Sequence, residues 1–246
     1  DGPMSRGLGD VYKRQLQIQG PASIEIMKAA SNGAITEEMP YFRSGFFTLG
    51  GQELYVSRTG FTGELGFEIY SGGAKTDHLA LWDHLMKVGA PHGMAFSSTR
   101  SLTIRRIEAG ILGNLTDIDT TMTPFEAGLS PFINMNKGDF IGREALVDAD
   151  RQCLLVGLTC QTATPAAGSV IVDAGTTVGH ITAGVPSPTL GFGIGYARFN
   201  QPGEWIGRSI HLQLADGSLH TCDIVNLPFF DPDKNIVRGI DRTIPD

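Results

Sequence analysis

Apolar and polar positions alternate along GELGFEIY (63–70), and the alternation predicts a β-strand with one face buried. The stretch around it, RTGFTGELGFEIYSGG (58–73), carries five glycines, and the expected strand sets Glu64 and Glu68 on one face. Just upstream, FFTLGGQELYVSRTG (46–60) reads as a hairpin, two β-rich runs joined at Gly50-Gly51. LQIQGP (16–21) predicts a short strand ending in a Gly-Pro turn, and ASIEIMKAAS (22–31) has helical apolar spacing. A further helix is expected over 75–88, with Leu79, Trp82, Leu85 and Met86 forming its apolar stripe. Another is expected over 98–109, stopped by Gly110. TMTPFEAGLSPFI (121–133) reads as turn-rich and closing on an apolar strand, and DFIGREALVDAD (139–150) as a helix beginning at or after Gly142.

Beyond Asp150 the texture changes. CLLVGLTC, SVIVDAG, TTVGHITAG, GFGIGYARF and WIGRSIHLQLADGSLHTCDIV are short β-rich runs split by Gly, Pro and Asp-Gly turns, and no helical pattern interrupts them. Such spacing predicts a small antiparallel barrel or sandwich. The fold class is therefore α+β, with an α+β domain over 16–148 and a C-terminal β-barrel over 149–246. DGPMSRGLGDVYKRQ, residues 1–15, has neither helical nor strand periodicity nor the apolar centre of a signal peptide, and is read as a foreign, disordered leader.

With 246 residues, 41% of them hydrophobic and 18% charged, the chain has the composition of a soluble globular protein. A net charge of −7, with Arg105-Arg106 the densest basic pair, argues against a nucleic-acid partner. No apolar run reaches the length of a membrane span. Cys153, Cys160 and Cys222 form no CxxC pair, and free thiols of this kind belong in a reducing cytoplasm. The six histidines show neither HxxxH nor HxH spacing, so no metal site is expected.

Three stretches carry chemistry: RTGFTGELGFEIY (58–70), RRIEAGIL…TPFEAGL…KGDFIGREAL (105–146) and VGHITAGVPSPTLGFGIGYAR (178–198). An acidic acceptor on a glycine-rich strand suits a planar ligand with adjacent donors, because a carboxylate accepts two hydrogen bonds at once. A solvated strand residue is the alternative for Glu68. Arg105 and Arg106 equally suit helix-stabilising ion pairs with Glu108 or Glu126.

In order and spacing the three stretches resemble the folate-dependent aminomethyltransferase family, the T-protein of the glycine cleavage system and its relatives; the likeness runs over about 16–230. The resemblance implies a one-carbon transfer to tetrahydrofolate, with a lipoylated carrier protein or a small-molecule methyl donor as partner. It implies that Glu68 grips the pteridine ring, with Gly66 leaving space for it and Tyr55 on the strand entering the same stretch. It gives Arg106, before Ile-Glu-Ala-Gly, a role at the glutamyl or benzoyl end of folate, with Arg100 as a shifted candidate for a second arginine. Asp139 stands where the iron–sulfur-assembly branch of the superfamily carries a cysteine, which favours the transferases. Pro228-Phe229 runs into FDPDKNI, without the tyrosine the family places there. The family's catalytic aspartate precedes the LQIQGP segment, and none of Asp10, Asp117 or Asp119 matches it. The catalytic residue is thus unassigned, and this chain is expected to be an amino-terminally truncated fragment that binds folate weakly or not at all and lacks activity. The other functions compatible with the pattern are a dimethylsulfoniopropionate-type demethylase, a folate-binding regulatory protein without catalysis, and the C-terminal half of a sarcosine or dimethylglycine dehydrogenase.

Overall fold

The structure is a computed structural model that describes residues 13–72 and 75–243. Residues 1–12 of the expected leader, Asp10 among them, lie outside the described residues; 13–15 are the first residues of a strand. Contacts divide the chain into two compact units, Asp1–Leu102 with Asp233–Asp246, and Thr103–Pro232.

The first unit is built on a four-stranded antiparallel sheet in the order β1-β4-β3-β2. Its strands are β1 (Lys13–Gln19), β2 (Ser44–Leu49), β3 (Gln52–Ser57) and β4 (Gly66–Gly72). The hairpin between β2 and β3 turns on Gly50 and Gly51, with φ of 57° and 81°. Both are left-handed, as a two-residue turn matched to strand twist requires, so only glycine enters without strain. Helices α1 (Ser23–Ala30) and α2 (His78–Gly89) belong to the same unit. Strand period places Ile18, Leu54, Val56, Phe67 and Ile69 on one face, where they form a buried cluster with Ile24 and Met27 of α1 and Leu81 and Leu85 of α2. The apolar stripe of α2 differs from the expected one. Leu81 and Leu85 are buried, whereas Leu79 is 71% exposed and Trp82 meets Phe96 edge-on at 5.7 Å between centroids. The buried row of α2 is instead Leu81, Leu85 and Gly89, at i, i+4 and i+8, and Gly89 is bare where the Met94 side chain packs. Asp77 caps α2 through a 2.9 Å bond from the Ala80 amide.

Arg58 follows β3 and is buried. Its guanidinium donates to the carbonyls of Glu37, Met39 and Arg238, tying the loop before β2 and the short α5 (Asn235–Arg238) to the sheet. Burial lowers its pKa from the usual arginine value, with Arg242 adding like-charge repulsion.

The second unit holds a closed six-stranded antiparallel barrel, β10-β5-β8-β7-β6-β9. The strands are β5 (Leu155–Cys160), β6 (Val170–Asp173), β7 (Thr176–Pro186), β8 (Gly193–Phe199), β9 (Ser209–Gln213) and β10 (Leu219–Val225). Leu158, Ile171, Ile181, Phe199, Leu212 and Ile224 fill its interior. Each expected β-rich run became a strand here, and closure leaves no edge unpaired. Helix α3 (Thr99–Glu108) spans the division between the units, and α4 (Arg143–Val147) follows Gly142. Ile107 and the partly buried Leu112, Ile118 and Met122 pack with Leu155, Ile194 and Tyr196 of the barrel. That packing assigns 103–148 to the barrel's unit by contacts. The apolar strand expected at the end of 121–133 is absent: Ser130–Phe132 is a single 3₁₀ turn, with Phe132 exposed. Pro131 has no amide to give a sheet ladder.

Candidate functional site

Alternation on β1, β3 and β4 puts Gln15, Gln17, Tyr55, Glu68 and Tyr70 on the sheet face opposite the helix-packed core. Register sets Gln17 directly across from Glu68, and Tyr70 across from both Gln15 and Tyr55. Glu68 is half-buried at the centre. Its Oε1 accepts from the side-chain amides of Gln15 and, at 3.5 Å, Gln17. Its Oε2 accepts from the hydroxyls of Thr59 and, at 3.3 Å, Tyr70. The carboxylate is therefore held from both sides, and the two contacts beyond 3.2 Å are weak ones. Gln17 Oε1 is buried and has no partner.

Aromatic rings extend the face. Tyr55 lies 6.0 Å from Tyr70 and 5.2 Å from Phe46, centroid to centroid, and its hydroxyl meets Ser44 Oγ at 2.5 Å. Phe46 is 70% exposed. Burial, followed by the Glu68 charge, raises the pKa of Tyr70 and of Tyr41 above the usual tyrosine value. Both hydroxyls stay protonated near neutrality, and that of Tyr70 donates to the acid.

Two of the glycines accommodate a neighbouring side chain. A Cβ on Gly66 or on Gly60 would fall inside the Gln19 side chain. Gln19 Nε2 donates to the carbonyls of Thr59 and Phe67, and its Oε1 accepts from Thr62. Gly66 is buried. Bare positions here leave room for Gln19 to stitch the 59–67 loop to β1. Glu64 precedes β4 in a bend, so it does not share a strand face with Glu68.

Arg106 belongs to the second unit and is buried there. Its Nη1 donates to Asp117 Oδ2 at 2.7 Å and to the Ile111 carbonyl at 3.1 Å. Asp117 also accepts from the Gly113 amide and from Thr182, while the Tyr196 hydroxyl donates to carbonyls of the 106–111 turn. The guanidinium is thus committed to a fold-closing network, with Asp117 in the partner role for which Glu108 and Glu126 were the expected acids. Glu108 takes Arg105, one of the helix ion pairs the sequence allowed, together with Ser187 and Thr189, and Glu126 caps its own turn through the Thr123 amide at 2.6 Å. Arg100 is exposed in the first turn of α3. Asp119 is exposed and binds Thr121 and Arg198. Among the described residues no cluster of His, Cys, Asp and Glu could hold a metal ion, and no helix is long and apolar enough to cross a membrane.

The family model described as the GCVT N-terminal domain matches residues 10–137, and the one described as the glycine cleavage T-protein C-terminal barrel domain matches 154–231. The chain belongs to the glycine cleavage T-protein family. An aminomethyltransferase of Streptomyces avermitilis is 34% identical over 227 residues, covering 87% of this chain and 59% of that protein. One from Halothermothrix orenii is 35% identical over 224 residues, covering 87% of this chain and 60% of its own length. The crystal structure of glycine cleavage system aminomethyltransferase T from Bartonella henselae superposes with a TM-score of 0.77 at 25% identity, covering 93% of this chain and 64% of that one. The chain thus spans about three-fifths of the length of these T-protein relatives.

Of the candidate site residues, Glu68 and Tyr55 share the open face of this T-protein sheet, and Gly66 lies at the end of the same face, covered by the Gln19 side chain. Gln15, Gln17, Thr59 and Tyr70 were missed. The signal for the glutamines was present in KRQLQIQ, where polar residues recur at 15, 17 and 19, the period-2 stripe of a strand face.

Proposed function

We propose that the protein is a tetrahydrofolate-dependent aminomethyltransferase and that Glu68 anchors the ring of the folate. The observation that carries this is a half-buried carboxylate, oriented from both sides, on a sheet face bordered by tyrosines. The residues suit the group. A reduced pterin edge offers an N–H beside an amino group, and the long contacts from Gln17 and Tyr70 are the ones such donors would replace. Gln17 Oε1, buried and unpaired, is a further acceptor where donors are needed.

Tetrahydrofolate, when bound, supplies the nitrogen nucleophile that captures the one-carbon unit. The chain's own residues bind and orient. Glu68 fixes the ring's in-plane rotation, Gln15 and Thr59 fix Glu68, and Tyr55 and Tyr70 offer aromatic surface that excludes water. No described residue is assigned the role of catalytic acid. The partner that fits this reading is a lipoylated carrier protein bearing the aminomethyl group, and the setting is the cytoplasm. Arg106 and Arg100 have no ligand role in this proposal. The test is an assay of the full-length protein with aminomethyl-lipoyl carrier protein, following ammonia and methylenetetrahydrofolate together. Equal yields of the two support the reading, and turnover of a sulfonium methyl donor to methyltetrahydrofolate without ammonia contradicts it.

A further inference from the structure

Gln17 is an anomaly in an otherwise satisfied face. Its side-chain nitrogen reaches Glu68 Oε1 at 3.5 Å, and its side-chain oxygen is buried without a partner. Turning the amide over does not help, because it would set two oxygens against each other and strand the nitrogen instead. Buried polar atoms in folded proteins are nearly always bonded, and an exception calls for an explanation. The neighbouring Gln19, by contrast, has its oxygen and its nitrogen both bonded. The stranded acceptor stands directly across the β1–β4 pair from the proposed ring anchor.

We propose that Gln17 is a specificity-determining residue whose side-chain oxygen accepts the outer amino hydrogen of the ring held by Glu68. The inference rests on the Glu68 reading and adds a substrate requirement to it. Glu68 takes a ring N–H and one amino hydrogen, and Gln17 takes the second. The face then selects rings that present three donor hydrogens in a row, the 2-amino-4-oxo pattern, over rings with an oxo or alkyl group at that carbon. A site that hydrogen-bonds an amino group rejects the analogue lacking it, because the acceptor is then left buried and unpaired.

The test uses the chain with 5-formyltetrahydrofolate and its 2-desamino-2-methyl counterpart as millimolar probes. Affinity is read from the side-chain amide signals in nitrogen–proton spectra, and circular dichroism checks that each variant is folded. Gln17→Leu is expected to lower the preference for the amino probe about tenfold while leaving affinity for the desamino probe unchanged, and Gln17→Glu, which keeps an acceptor, is expected to retain most of the preference. Glu68→Gln is expected to weaken both probes. If Glu68→Gln weakens both and Gln17→Leu leaves the preference intact, the role of Gln17 is overturned and the anchor stands. If the chain binds neither probe, or Glu68→Gln changes nothing, the anchor is overturned and Gln17's role with it.

Discussion

The side chain of Gln19 occupies the space that a Cβ on Gly66 would need. Gly66→Ala should therefore push the Gln19 amide off the Thr59 and Phe67 carbonyls, at a cost of about 1–3 kcal/mol. Gln19→Ala should cost a similar amount through stranded backbone groups. The double variant should lose clearly less than the sum, because the clash disappears with the amide. Urea unfolding of the four proteins measures the coupling, and simple additivity would show that the two positions are independent.

Arg58 is a buried cation of the first unit, and three backbone carbonyls hold it. Arg58→Met should destabilise by about 2–4 kcal/mol, since it removes a charged donor and leaves those carbonyls without it. Arg58→Lys should recover little, because an ammonium lacks the planar fork that reaches both the Glu37–Met39 loop and Arg238. Denaturant midpoints of the two variants provide the check.

In the second unit, Asp117 carries the charge that balances Arg106. Asp117→Ala should cost about 3–5 kcal/mol, the range for an abandoned buried partner. Asp117→Ala with Arg106→Met should be less damaging than Asp117→Ala alone. Calorimetry decides this, and a single variant of wild-type stability would mean that the pair is solvated.

Burial pushes the Tyr196 hydroxyl well above the ordinary tyrosine pKa, with Arg106 opposing and Asp117 reinforcing the shift. The folded state therefore holds a proton that the unfolded chain releases. The resulting stability is fully present below about pH 10, the ordinary value, and is lost as pH rises through it toward the folded pKa, by up to about 1.4 kcal/mol per pH unit. Burial raises the Cys222 thiol to about 12, which acts in the same direction from a lower starting pH. Tyr196→Phe should flatten the decline between pH 10 and 11, as read from urea midpoints across that range.

Much of this architecture was legible in the residues. The barrel strands announced themselves because each is short, β-rich and bounded by Gly, Pro or Asp-Gly, while the spacing alone fitted a sandwich as well as a closed barrel. Helices α1, α2 and α3 followed from apolar period and stop signals. The face of α2 was harder, because Leu79 and Trp82 are as apolar as Leu81, and only packing within the unit decides which row is buried. The strand ascribed to 121–133 failed at Pro131, where local chemistry outweighs hydrophobicity. At the site, Glu68 stood out by its glycine-rich setting, and two of those glycines leave room for Gln19, a contact across 41 to 47 positions of sequence that no local pattern encodes. The pairing of Arg106 with Asp117 was hidden for a similar reason: the 110–117 turn that joins them carries no periodic signal.

The central claim is that Glu68 is the ring anchor. Its most direct test is the dissociation constant of tetrahydrofolate for the full-length protein and for its Glu68→Gln variant, which keeps the shape and removes the charge. The account predicts a loss of roughly 2–4 kcal/mol, between about thirty- and several-hundred-fold, with the fold unchanged. An unaltered constant would contradict it and leave Glu68 an ordinary polar residue of the sheet.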